Sequence, residues 1–354
     1  MSRLIRAKET GLVAVVLLLG LLLTVFGGTV RRRIPDPDNP GETKQVEVNK
    51  FLQRANIDQN LKNCSWIAIM AVGVTVLIIA GGIDLSIGAA YCLAAVTGAM
   101  VLRGAWAETP PSPAWLIPAG ILASLLAGTL CGVANGAMVT LLRVHPFIIT
   151  LGTMSIFRGI AFVSTTGQSV TNFPENFGDT VRETVGEFTI VPLIITAAVV
   201  VAGEVYLRHT AAGREVYAVG GNELAARFSG VRVSRIKLTV FTIAGLSAGV
   251  AAVVTLGIFG SADSSTGRGY ELDVIAAAVV GGASLSGGRG TAFGALLGAL
   301  VIQLIANGIV ILEIDQAYTE IIKGAVIILA VVLDRFSASL SERRLVGAAG
   351  RSAN

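Results

Sequence analysis

Apolar stretches about as long as a bilayer is thick recur along this chain, and they constrain it more than any motif does. The first runs from Gly11 to Thr29, and nine more follow at 64–80, 89–103, 114–142, 146–165, 189–207, 237–259, 273–286, 291–312 and 318–333. As a helix, ~20 apolar residues cross a hydrocarbon core. A soluble domain has nowhere to bury ten such runs. The 354 residues are 53% hydrophobic and only 14% charged, with a mean hydropathy of +0.73, where ordinary soluble chains are about 25% charged. These observations exclude a water-soluble enzyme and predict an all-α integral membrane protein of about ten transmembrane helices.

The chain divides accordingly into a short terminus (1–10), a first membrane anchor (11–29), a polar loop (30–63), a main transmembrane domain (64–334) and a tail (335–354). The first run exceeds the 7–15 apolar residues of a secretory signal and no A-x-A-like site follows, so it reads as a retained anchor. Pro35, Pro37, Pro40 and Gly41 make 30–63 a loop. Orientation comes from charge, because cytoplasmic loops collect Lys and Arg. The segment 208–236, with Lys237 just after it, holds Arg208, Arg214, Arg227, Arg232 and Arg235 against Glu215 and Glu223, and belongs inside. Counting outward, both termini fall in the cytoplasm, and the mostly acidic loops near Glu108, at 175–187, at 263–273 and at 313–315 fall outside. The loop 30–63, with seven basic and five acidic residues, breaks the pattern.

Two glycine-rich octapeptides lie two hundred residues apart, GGIDLSIG at 81–88 and GGASLSGG at 281–288, identical at five of eight positions. Glycine-interrupted apolar segments at matching places in two halves point to broken helices lining a transport pathway. Asp84, in the first copy, stands just before an apolar run. It either caps the next helix or is an ion or substrate ligand at membrane depth, with Ser86 assisting. Arg158 lies about 18 Å of helix rise from the inner end of its run. Either it snorkels to the external interface or it lines a water-filled cavity open to the outside. Asn135, Phe147, Thr150 and Asn307 are further pathway candidates, and Glu204 is expected to reach the cytoplasmic interface. Asn222 is a candidate N-cap for a short helix ending near Gly230, placed where a partner can dock.

Other chemistries lack their residues. Neither His145 nor His209 belongs to a metal or catalytic motif, no GK[ST] phosphate loop occurs, and the net charge of +4 is membrane topology rather than nucleic-acid binding. Cys64, Cys92 and Cys131 share no ligand spacing and read as buried apolar residues. The chain is expected to bind no cofactor or metal, to have no catalytic residue, and to carry no motor of its own.

Four segments, AGGIDLSIGA, HPFIITLGTMSIFRGIAFV, EVYAVGGNELAARFSGV and GRGYELDVIAAAVVGGASLSGGRGT, occur in this order. Over roughly 61–335 they resemble the permease subunits of ribose-type ABC importers. The resemblance implies a monosaccharide importer of the bacterial cytoplasmic (inner) membrane working by alternating access. Its expected partners are a cytoplasmic ABC ATPase that binds the ATP, an extracytoplasmic sugar-binding protein and a second permease subunit, identical or different. Gly220, Gly221, Asn222, Glu223, Ala226, Arg227 and Gly230 would form the segment coupling to the ATPase, although Leu224 stands where importer signatures have Glu. Gly269, Tyr270, Glu271 and Asp273 would lie on the binding-protein side. The loop 30–63 is longer than the family's connection. The rival reading is an ion-coupled secondary transporter with Asp84 as its ion site; a further rival, an intramembrane enzyme, has no catalytic constellation.

Overall fold

Residues 2–35, 43–108, 113–326, 328, 329 and 332 are described by the structure, a computed structural model. The tail 335–354 lies outside the described residues. In order the elements are α1 (Ser2–Phe26), β1 (Thr29–Pro35), β2 (Thr43–Asn49), α2 (Arg54–Ile79), α3 (Ile87–Glu108), α4 (Leu116–Leu142), α5 (Pro146–Thr165), α6 (Glu175–Val181), β3 (Thr184–Val185), β4 (Phe188–Thr189), α7 (Ile190–His209), α8 (Ala211–Gly221), α9 (Glu223–Phe228), α10 (Val233–Phe259), α11 (Tyr270–Val280) and α12 (Ala292–Ile311).

The second apolar run is the axis around which the others pack. In α2, 89% of the apolar stretch is buried, against 6% in α1, which lies on the periphery along α12. A helix that is apolar on every side belongs inside a bundle, and α2 is surrounded by α7, α10, α11 and α12. Small residues set how closely the helices approach. Gly128, Gly132 and Gly136 form a stripe on α4 facing Leu238, Phe241, Gly245 and Gly249 of α10, and a Cβ on Gly132 would collide with the carbonyl oxygen of Phe241. Lipid gives no hydrophobic drive between helices, so such backbone-to-backbone packing is what holds the pair together.

Among the described residues, eight helices are long and apolar enough to cross a membrane: α1 to α5, α7, α10 and α12. The expected span at 273–286 is not one of them. Here α11 has 11 residues, a rise of about 16 Å, and stops where Gly281 and Gly282 turn the chain, Gly282 at φ 94°. The tenth run, 318–333, is helical at 319–326 and in part outside the described residues.

The polar stretch 30–63 is also more ordered than its composition suggests. Its first part is an antiparallel hairpin in which Thr29 faces Asn49 and Pro35 faces Thr43. Its last ten residues are the start of α2. Their polar side chains find partners on neighbouring elements: Asn307 Nδ2 donates to Asn56 Oδ1 (2.8 Å), Gln303 Nε2 to Asn60 Oδ1 (3.2 Å), and the Thr189 amide to Asp58 Oδ1 (2.7 Å).

Ion pairs fix the two ends of the bundle. At one end Lys50 pairs with Glu313 (2.6 Å) and Arg54 with Glu187 (3.1 Å), beside the hairpin. At the other, the basic end, Arg208 pairs with Glu9 (3.3 Å) and with Glu204. Glu204 does more than reach an interface: its Oε2 accepts from the Ala292 and Phe293 amides (3.0 and 3.3 Å) at the start of α12, placing a carboxylate on the positive end of that helix's dipole.

Candidate functional site

At the basic end the chain leaves the bundle and returns through α8 and α9. Asn222 is extended (φ −159°), and its Oδ1 accepts from the Ala225 amide at 2.9 Å, capping α9 as its sequence position suggests. Gly230 (φ 86°) follows the helix, a conformation that suits glycine. Within this knob Glu223 holds Arg227 (3.2 Å) and Lys237 (2.8 Å), Ala226 is buried, and Leu224 and Phe228 are 65% and 89% exposed. The sequence reading passed over these last two as part of an imperfect signature. Two large apolar side chains are thus held out of the bundle at the tip of a short helix.

The knob is seated on bare backbone. A Cβ on Gly220 would collide with the carbonyl oxygen of Ile79, the last residue of α2, and would come within 2.7 Å of the Gly288 nitrogen. That nitrogen donates to the same Ile79 oxygen (2.8 Å). Tyr217 donates its hydroxyl proton to Gly290 O (2.7 Å), and burial pushes its phenol up to about 12. The second glycine octapeptide therefore makes a three-way junction with the knob and the end of α2.

The first octapeptide joins α2 to α3. Asp84, 2% exposed, accepts from the Ser86 amide (2.7 Å) and hydroxyl (2.6 Å), which is the capping geometry. Asn135 Nδ2 on α4 donates to Ser86 Oγ (2.7 Å), and the Thr150 hydroxyl on α5 to Ile83 O (3.4 Å). Asp84, Ser86, Asn135 and Thr150 thus meet at one place. Phe147, 45% exposed, lies one turn before Thr150, after His145, whose Nδ1 accepts from the Phe147 amide (3.3 Å). Asn307 is elsewhere, paired with Asn56 near the hairpin end.

Arg158 takes neither of its expected roles alone. Its guanidinium reaches across to three backbone carbonyls of the segment between α10 and α11: Nη1 donates to Ser264 O (2.9 Å) and Thr266 O (3.2 Å), and Nη2 to Gly267 O (3.4 Å). It also lines a cleft of about 350 Å³ with Ser155, Gly159, Phe162, Ser264 and Arg268. The turn it grips is built by Asp263, whose Oδ1 accepts from the Ser265 and Thr266 amides (2.7 and 3.0 Å). Since Arg158 stands about 18 Å of helix rise above the basic end, and α11 returns about that far, residues 263–269 dip roughly halfway through the bundle. Irregular backbone at such depth is tolerated where protein buries it or water lines it.

The segment expected on the external side opens α11. Gly269 (φ 86°) is its N-cap residue, and Glu271 and Asp273 fall in the first turn. Tyr270 and Asp273 are turned into the bundle rather than onto an exposed surface: Tyr270 packs at 5.7 Å on Tyr91, and Asp273, 8% exposed, pairs with Lys323 (2.9 Å). Glu271 Oε2 is buried without a partner. All three cysteines are buried and free.

Eight membrane-length helices among the described residues, a half-length helix hung from an irregular segment, and a knob presenting apolar side chains at one end define a polytopic membrane permease. The chain belongs to the family described as branched-chain amino acid transport system permease component, which it matches over residues 56–331. Among curated proteins it is 39% identical over 292 residues to the ribose import permease of Escherichia coli K12, covering 80% of this chain and 87% of that one. It is 38% identical over 288 residues to the ribose import permease of Bacillus subtilis 168 (80% and 86%). The D-allose transport system permease of Escherichia coli K12 is 37% identical over 286 residues (80% and 85%). No solved structure matches the chain. The family match begins after α1 and the hairpin, which fall outside it.

Proposed function

We propose that the chain is the membrane-spanning subunit of an ATP-driven importer that carries a monosaccharide of the ribose, allose or galactose type across the cytoplasmic membrane. The single observation that carries the coupling part is the knob: Leu224 and Phe228 point outward while Gly220 rests on Ile79 and Gly288. An ATPase gripping α9 would move the end of α2 and the turn before α12 together. The chain itself binds no ATP in this reading, and hydrolysis belongs to the partner. The basic end faces the cytoplasm, as the Lys and Arg excess there favours, and the hairpin end faces the sugar-binding protein. A second permease subunit completes the pathway, which runs past the Asp84–Ser86–Asn135–Thr150 group and the Arg158 cleft. For coupling, ATP and sugar must each favour one conformation over the other.

The ion-coupled alternative is not favoured: the relatives are a ribose import permease and a D-allose transport system permease, and Asp84 Oδ1 is taken up by Ser86. The test is ATP-driven uptake. Co-expressed with an ABC ATPase of the same organism, the chain should retain that ATPase through purification. Replacing Leu224 and Phe228 by Ser should release the ATPase and abolish sugar uptake without reducing membrane insertion. Retention of the ATPase by the double variant would remove the coupling assignment, and uptake by the chain alone on an ion gradient would remove the importer reading.

A further inference from the structure

Beside the start of α11, a cavity of about 160 Å³ separate from the Arg158 cleft lies between α2, α11, α12 and the helical segment 319–326. Its volume is about five waters' share of liquid, the scale of one pentose or hexose ring. One wall is aromatic. Trp66, 4% exposed, is set edge-on against Phe259 at 5.5 Å, and Tyr270 is held by its contact with Tyr91. Rings fixed in this way present a rigid flat face.

The rest of the wall mixes apolar side chains, Ile67 and Ile302 among them, with four polar ones, Asn63, Gln303, Asp273 and Lys323, whose hydrogen bonding is half used. Gln59 donates to Asn63 Oδ1 (2.8 Å), which leaves the Asn63 amide protons without a partner among the described residues. Gln303 donates through Nε2 to Asn60 (3.2 Å), which leaves its carbonyl oxygen. Asp273 and Lys323 meet through one oxygen and one proton (2.9 Å), with 12% and 19% of their side chains exposed, and Glu320 stands 3.8 Å from the same ammonium. One carboxylate oxygen and further ammonium protons remain. Asn63 and Gln303 are half-buried, so the bonds they leave open are available to a guest that both donates and accepts.

We propose that the cavity is a monosaccharide subsite within the permease, stacking the C–H face of a neutral sugar on Trp66 and Tyr270 and bonding its hydroxyls to Asn63, Gln303 and the Asp273–Lys323 pair. The inference rests on the sugar-permease reading. Each sugar hydroxyl is donor and acceptor at once, which matches an amide proton beside an amide oxygen and a carboxylate beside an ammonium. A zwitterionic amino acid would bring two charges of its own into a site whose charges already neutralise each other, and taking them out of water without full partners is costly. A pocket with a few convergent polar groups on an apolar wall is how proteins orient small ligands. The small size and modest bonding suit a transient stop, which transport requires.

Trp66, Trp106 and Trp115 are the three tryptophans of the chain, so the variant W106F/W115F reports on Trp66 alone. The full chain in lipid nanodiscs is titrated with D-ribose, D-galactose and, as the zwitterionic control, L-leucine. A saturable change in Trp66 emission is expected with one or both sugars and not with leucine. Asn63→Leu, which removes a side chain bonded only to the exposed Gln59, should weaken the response about fivefold, the worth of one net hydrogen bond; Gln303→Leu should do the same. No sugar-dependent change, an equal response to leucine, or titrations unaltered by both substitutions would overturn the subsite. Uptake by the complete importer separates the two readings. Sugar uptake that both substitutions leave unchanged overturns the subsite alone, whereas absence of uptake for every sugar overturns the permease reading and the subsite with it.

Discussion

Replacing Arg158 by Met tests whether one side chain holds the irregular segment between α10 and α11 in place. Methionine keeps most of the apolar stem and removes the fork. Two of its three bonds, at 2.9 and 3.2 Å, are well formed, and the third, at 3.4 Å, is at the limit of significance. Hydrogen bonds from a charged donor contribute about 1.5–3 kcal/mol each, so two are worth roughly 3 kcal/mol or more. The cleft of about 350 Å³ beside them admits water to the freed carbonyls, which reduces the net cost to about 2 kcal/mol. The loss is local, because the segment is anchored at both ends by α10 and α11. Amide hydrogen exchange reads it directly: the Thr266, Arg268 and Tyr270 amides, which close successive turns on Asp263, Ser265 and Gly267, should exchange about thirtyfold faster. Arg158→Lys, which keeps the charge but not the planar fork, should fall between. Exchange within about threefold of the parent in the Met variant would refute the clamp.

Glu204→Gln should destabilise the basic end by about 1 kcal/mol, since it removes both the Arg208 pair and the charge on the α12 dipole; thermal unfolding in detergent measures it. Asp84→Asn keeps an acceptor for the Ser86 amide, so sugar uptake should persist at reduced rate, whereas an ion site would lose uptake entirely and show altered ion dependence. The Lys50 ammonium beside Glu313 holds that carboxyl below its usual range. The pair's contribution is therefore present above the ordinary Glu value of about 4.3 and is lost as pH falls through the lower folded value. Limited proteolysis of the hairpin should accelerate only below about pH 4, and Glu313→Gln should abolish that pH dependence.

Long apolar runs are legible because in lipid each helix must satisfy its own backbone, so composition alone marks it. That logic located the eight membrane-length helices, and it failed where backbone groups are satisfied by something other than lipid-facing helix. The start of α2 is polar enough to pass for a loop, and only the positions of Asn307, Gln303 and Thr189 reveal why it is helical. The run at 273–286 is apolar enough to span, yet Gly281 and Gly282 end the helix after its first three turns. The Asn222 cap was readable because capping is local, three residues from acceptor to donor. The partners of Arg158 were not, being more than a hundred residues away along the chain. For Asp84 the sequence leaves two readings open, and in the structure its Oδ1 accepts from Ser86, two residues on.

The junction of Gly220, Ile79 and Gly288 has a mechanical consequence. Where side chains separate two moving parts, a push is first spent on rotamer changes and compliant packing before the far part responds. Here main chain bears directly on main chain, with one hydrogen bond bridging the two receiving strands of the joint. Such a bearing has little slack, so under the proposed coupling a small displacement of the knob would reach both the end of α2 and the turn before α12. Glycine at position 220 is then less a matter of chain flexibility than of tolerance, in the machinist's sense: the smallest residue gives the tightest fit.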